Sequence, residues 1–230
     1  MWIGLGLWGA PLSSLSFDSD GPRQTVEVSD HDADPVSPRW SQWRAETDLE
    51  EYYSRWTRLE SIGQSAHGEA DFIESLGPRS VLDAGCGMGR VAMELARRGI
   101  DVVGVDLDDD LLDFARRAQA DLQWITADLA TMDLGRRFDV VAMPGNVMIF
   151  CRPEDRAPII AACARHIAPA GFLVAGFQIE RSTDALSLDL YDELCAAAGM
   201  RLDQRWSTWA GDAYAGGDYA VSVHRLELTR

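Results

Sequence analysis

From residue 79 onward, short apolar runs and amphipathic stretches take turns along the chain. Residues 81–84 open a strand-like run, and 91–98 follow with alanine-rich helical spacing that Gly99 stops. A second apolar run spans 101–106, and Leu111, Leu112, Ala115 and Ala118 mark one face of the helix after it. Residues 122–129 and 138–143 read as third and fourth strands, and 153–167 as a helix. Pro169-Ala170-Gly171 predicts a turn into a fifth strand over 172–177, and a helix over 184–198 is stopped by Gly199. The end differs in kind: 200–209 and 219–228 predict two strands joined by the loop 211–218, with no helix between them. Strands alternating with helices predict an α/β fold, a doubly wound and mostly parallel sheet covered on both faces.

Upstream the rhythm changes. Leu49, Tyr52, Tyr53, Trp56, Leu59 and Ile62 recur at helical spacing, and a short helix is predicted over 67–76 before Gly77-Pro78 delivers the first strand. Residues 1–38 are dense in Gly, Pro, Ser and Asp and lack a periodic apolar face to offset the entropy of ordering. They are expected to be a disordered extension, or an over-extended start of the reading frame. The expected organisation is therefore 1–38 as extension, 39–78 as a helical lid and 79–230 as a cofactor-binding core.

The 230 residues carry 37 acids against 21 bases, every base an arginine, for a net charge of −16. Such a chain has no electrostatic footprint for nucleic acid or an anionic membrane, so neither is expected as a partner. Cys86, Cys151, Cys163 and Cys195 form no Cys-x-x-Cys pair and no histidine stands at zinc-ligand spacing, so no metal is expected. They read as small buried residues in a reducing, cytoplasmic compartment. The partly apolar first 15 residues lack the basic start of a signal peptide, and secretion is not expected.

The chemistry concentrates at Asp83-Ala84-Gly85-Cys86-Gly87-Met88-Gly89-Arg90. A strand turning sharply into a helix leaves backbone N–H groups in the crevice above the sheet, and glycines let a ligand approach them. A dinucleotide fingerprint, G-x-G-x-x-G, needs its third glycine one residue later, where Arg90 stands. The acid two residues before Gly85 suits an ammonium better than a pyrophosphate. This stretch resembles the first motif, (D/E)-x-G-x-G-x-G, of the class I S-adenosylmethionine-dependent methyltransferases. Asp106, Asp128 and Pro144-Gly145-Asn146, closing the second, third and fourth strands, extend the resemblance, which covers residues from about 45 to the end.

The resemblance implies a seven-stranded sheet, its last strand inserted antiparallel, and S-adenosylmethionine as cofactor. Asp83 would engage the methionine end, directly or through water, and Gly85, Cys86, Gly87 and Gly89 would form the turn against the ligand. Asp106 would hold the ribose, although it could instead cap the next helix. Leu107, Asp128 and Leu129 would hold the adenine, and the loop at Pro144 would face the transferred methyl group. Tyr53, Trp56 and His67 on the lid, with Asn146 and Gln178 after the fourth and fifth strands, are candidates for the acceptor side. Tyr53 and Trp56 also read as helix core, His67 as a surface or capping residue, Asn146 as turn chemistry and His166 as structural. No catalytic residue is assigned.

The loop 144–147 does not match the (N/D)-P-P-(Y/F) of DNA adenine or glutamine methyltransferases, which with the acidic composition points to a small-molecule acceptor, its attacking atom (O, N or C) open. A catalytically silent cofactor-binding regulator and an NAD(P)-dependent oxidoreductase remain as alternatives, and a homodimer stays open.

Overall fold

The computed structural model describes residues 36–61, 67–179 and 185–227, apart from a few side chains near the end of the second helix. The expectation for the extension falls, up to residue 35, outside the described residues.

Three helices precede the sheet: α1 (Pro38–Glu46), α2 (Leu49–Ser61) and α3 (Gly68–Ser75). The expected lid begins its helical pattern at Leu49, yet α1 comes before it. Ser37 starts α1 by accepting from Trp40 N–H, with Pro38 pre-set in the first turn. Two tryptophans are too few to reveal such a helix by periodicity.

The core alternates β1 (Ser80–Ala84), α4 (Arg90–Arg97), β2 (Asp101–Asp106), α5 (Asp109–Ala118), β3 (Gln123–Thr126) and β4 (Phe138–Met143). Then come α6 (Val147–Phe150), a single tight turn at Pro153–Asp155, α7 (Arg156–Arg165), β5 (Ile167–Gln178), α8 (Leu188–Ala197), β6 (Met200–Trp206) and β7 (Tyr219–Leu226). The seven strands lie in the order β3-β2-β1-β4-β5-β7-β6, and β7 alone runs antiparallel to its neighbours. The expected fold is thus present, hairpin included.

Strand alternation sorts the core. Val81, Val102 and Val140 face α3 and α4 on one side, while Leu82, Val103 and Val141 join the core that includes α7 and α8 on the other. The order reverses at β1 and β4, so the crevice at their carboxyl ends is the topological switch point where such sheets take ligands.

Two local differences stand out. The expected turn at Pro169-Ala170-Gly171 is an excursion inside β5, because Ile167 pairs with Phe138 and Phe172 with Val140 on either side of it. Ala170 there takes φ 64°. After β4 the chain forms α6, whose four residues are too short to show a helical period. No helix among the described residues is long and apolar enough to cross a membrane.

Candidate cofactor site

β1 ends at Ala84, and the chain turns into α4 through Gly85, Gly87 and Gly89 at φ 80°, 54° and 81°, a region unfavourable to side chains with a Cβ. The turn is sewn to β2: Gly85 and Cys86 N–H groups both donate to Val105 O, at 2.8 and 3.0 Å. A Cβ on Gly85 would lie 2.6 Å from Val147 Cγ2, and one on Gly89 would overlap the Trp124 ring, so this chain's own side chains use those two approaches. A Cβ on Gly87 would meet only Leu111 Cδ1, at 3.9 Å. The open part of the turn is therefore at Gly87. Cys86 is half-buried, and burial together with the Asp83 and Asp106 charges pushes its thiol well above the ordinary range, leaving it a weak nucleophile.

Asp106 closes β2 with its carboxylate turned back on the glycines. Oδ2 accepts from Gly87 N–H at 2.7 Å and Oδ1 from Asp108 N–H at 2.9 Å. Burial pushes its pKa up against the pull of those bonds. The helix cap that Asp106 was a candidate for is Asp108, whose Oδ1 accepts from Leu111 N–H at 3.2 Å. Asp106 is thereby left for the crevice.

Asp83 lies beneath the turn and is fully buried. Its Oδ2 accepts from Ala92 N–H in the first turn of α4 at 3.1 Å, while Oδ1 is buried with no hydrogen-bond partner. Desolvation raises its pKa to about 7, although Arg90 nearby pulls the other way. Arg90 is itself engaged by Glu69 of α3, Nη1 to Oε2 at 3.0 Å and Nη2 to Oε1 at 2.5 Å. At the end of β3, Asp128 accepts from Ala130 N–H at 2.8 Å in a tight turn. Leu129 beside it is buried, and Leu107, after β2, is 36% exposed.

On the other flank, Pro144 is buried and Asn146 adopts φ 70°. Asn146 Oδ1 accepts from Gln178 N–H at 2.8 Å, and its N–H donates to Gly176 O at 3.2 Å. It is a strut between the ends of β4 and β5, so its carbonyl is spent on holding Gln178 in place. Tyr53, half-buried, packs on Phe114 of α5 with ring centres 5.6 Å apart. The Trp56 side chain falls outside the described residues. His67 precedes α3 but makes no side-chain cap there; its Nε2 stands 4.0 Å from Glu94 Oε2. His166 is structural: Nε2 accepts from Leu134 N–H at 2.9 Å and Nδ1 lies 2.7 Å from Ala162 O.

Sequence reasoning missed the contacts that tie α1 to the segments after β2 and β4. Trp40 and Trp43 of α1 reach Phe150 at the end of α6, with ring centres 5.4 and 6.1 Å apart. Arg44 of α1 reaches Asp108 and Asp110. Gly104 inside β2 was the available clue to the Trp124 contact, since a strand glycine marks close approach.

This donor set fits a nucleoside sulfonium better than a dinucleotide. An unpartnered buried carboxylate oxygen suits a cationic group, Asp106 keeps lone pairs for hydroxyls, and the arginine beside the turn is tied up by Glu69. Fold and turn together define a methyltransferase-type α/β domain. A family profile described as "Methyltransferase domain" matches residues 81–171. A TehB-like SAM-dependent methyltransferase from Corynebacterium glutamicum superposes with a TM-score of 0.70 at 31% identity, over 77% of this chain and 97% of that one. The chain belongs to the class I S-adenosylmethionine-dependent methyltransferases. Among curated relatives, a cypemycin N-terminal methyltransferase from a Streptomyces species is 33% identical over 96 residues, 40% of this chain and 39% of that protein. A ubiquinone biosynthesis O-methyltransferase from Nitrosomonas europaea is 30% identical over 109 residues, 45% of each. The chain thus spans less than half the length of these curated relatives.

Proposed function

We propose that this protein transfers a methyl group from S-adenosylmethionine to a small-molecule acceptor. The observation that carries this reading is the ordered row of acids at the carboxyl ends of β1, β2 and β3, with Asp83 Oδ1 buried and unmatched. When bound, the cofactor supplies an electrophilic methyl on a good leaving group, so the protein's work is orientation and exclusion of water.

Asp83 holds the ammonium end, with Gly87 offering the open stretch of backbone beside it. Asp106, already fixed by Gly87 and Asp108, receives the ribose hydroxyls. Leu107 and Leu129 flank the adenine, and Asp128 accepts from its amino group. Pro144, and Gln178 held by Asn146, border the methyl. The aromatic groups Trp40, Trp43 and Phe150 bring an apolar roof to that flank, favouring desolvation of the acceptor. The attacking atom is oxygen, nitrogen or carbon, and no general base is assigned.

The net charge of −16 supports metabolite rather than nucleic-acid acceptors. Four unpaired cysteines support a reducing cytoplasm. Calorimetry with S-adenosylmethionine, S-adenosylhomocysteine and NAD tests the cofactor, and methyl transfer across a metabolite library tests the acceptor. Asp106→Ala is expected to weaken S-adenosylhomocysteine binding by roughly 10-fold or more, as losing a buried charged acceptor does. Unchanged affinity, or tight binding of NAD instead, would overturn the reading.

A further inference from the structure

Asp106 is held by more than the glycine turn. Its Oδ1 is fixed by Asp108 N–H, and the Asp108 side chain takes Arg44 Nε at 3.1 Å from α1, outside the sheet altogether. Arg44 Nη2 meets Asp110 at 2.7 Å. A continuous chain of hydrogen bonds therefore runs from Arg44 through Asp108 and Asp106 to Gly87. Four of the five residues 106–110 are aspartates, and such a run repels itself unless cations hold it. Arg44 takes Asp108 and Asp110, and Arg116 takes Asp109.

The other end of α1 is fastened to the opposite flank. Ser37 Oγ donates to Phe150 O, and the Trp40 and Phe150 rings meet edge to face. Phe150 follows β4 and Asp108 follows β2, while β1 lies between those strands. Two strand spacings amount to about 10 Å, and nine helical residues cover about 13 Å. α1 is therefore long enough to bridge the two flanks across the carboxyl end of β1, where the glycine turn begins.

We propose that Arg44 is a positioning residue for the nucleoside: through Asp108 it sets the Asp106 carboxylate, and it latches α1 across the glycine turn. The proposal rests on the assignment of Asp106 to the ribose. Asp108 is the stronger arm, being 13% exposed against 74% for Asp110, whose contact water and salt screen.

The test is the dissociation rate of S-adenosylhomocysteine from the full chain, by stopped flow at low and high salt. Arg44→Gln is expected to raise it ~5- to 10-fold, as loss of one partly buried charged bond does. The gap between variant and wild type should narrow as salt rises, because salt screens both the Arg44 pairs and the aspartate repulsion they relieve. Arg44→Lys should recover part of the effect, Asp110→Asn should give a smaller rise, and thermal midpoints should barely move. An Arg44→Gln rate and salt response equal to wild type, with Asp106→Ala still strongly impaired, overturns this inference alone. An unimpaired Asp106→Ala overturns it together with the ribose assignment.

Discussion

The Asp83 carboxyl sits under the glycine turn with one oxygen on Ala92 N–H and the other without a partner, and desolvation lifts its pKa to about 7. An unfolded aspartate titrates at about 3.9. A folded-state pKa above the unfolded one means that its contribution favours folding most below pH ~4 and is lost as pH rises through about 7. The full swing is about 4 kcal/mol as an upper bound. Asp83→Asn keeps an acceptor for Ala92 N–H, so it should raise the thermal midpoint at pH 8 by several degrees and much less at pH 5. A stabilisation independent of pH would contradict this origin. The ammonium of the cofactor favours the ionised acid, so binding should release a proton and tighten between pH 6 and 8. Calorimetry in two buffers of different ionisation enthalpy counts that proton. Asp83 was legible in the sequence as an acid before a glycine turn; its burial was not, because burial depends on what α4 covers.

Among the elements, β2 shows how much depends on one small residue. A Cβ on Gly104 would stand 2.5 Å from Trp124 Cε3 and 3.0 Å from Cys86 Sγ. Trp124 is also anchored by its indole N–H to Gln119 O at 2.8 Å, so its ring cannot give way cheaply. Gly104→Ala should therefore destabilise the fold by about 1–3 kcal/mol, the usual cost of overpacking. It should also loosen cofactor binding, since Cys86 belongs to the turn. Denaturant unfolding checks the first and calorimetry the second; a neutral substitution would show that Trp124 is free to repack. The strands and long helices were readable from their periods. α1 and α6 were not: the first shows two aromatics in nine residues, and the second is one turn long. Both owe their place to Phe150 meeting Trp40 and Trp43, a contact made across more than a hundred residues.

For the molecule as a whole, pH acts from two sides. Beneath α8, His224 is fully buried, with Nε2 3.1 Å from Asp192 Oδ1 and Tyr191 edge-on at 5.2 Å, while Arg205 also reaches Asp192. Burial lowers the His224 pKa against the pull of Asp192. A lowered histidine contributes stability that is present above its unfolded value of about 6.5 and lost as pH falls. Asp83 favours the folded state in acid and His224 in base. The acid limb should shrink in His224→Gln and the alkaline limb in Asp83→Asn, each followed by thermal unfolding from pH 5 to 9. A His224→Gln curve parallel to wild type would remove the histidine from this account.

What the chain's own order of residues determined was the alternation of strands and helices, the terminal hairpin, the glycine turn and the acids that close successive strands. Those follow from local period and from residue types whose backbone and charge preferences act within a few positions. Tertiary structure alone decided which oxygens are spent and which remain: Asn146 on Gln178, Asp108 as cap in place of Asp106, Asp83 half-satisfied, Arg90 claimed by Glu69 and Arg44 bound to Asp108. Apart from the Asp108 cap, which is local to α5, each depends on a contact between different elements, made only once the sheet has set the distance between their ends.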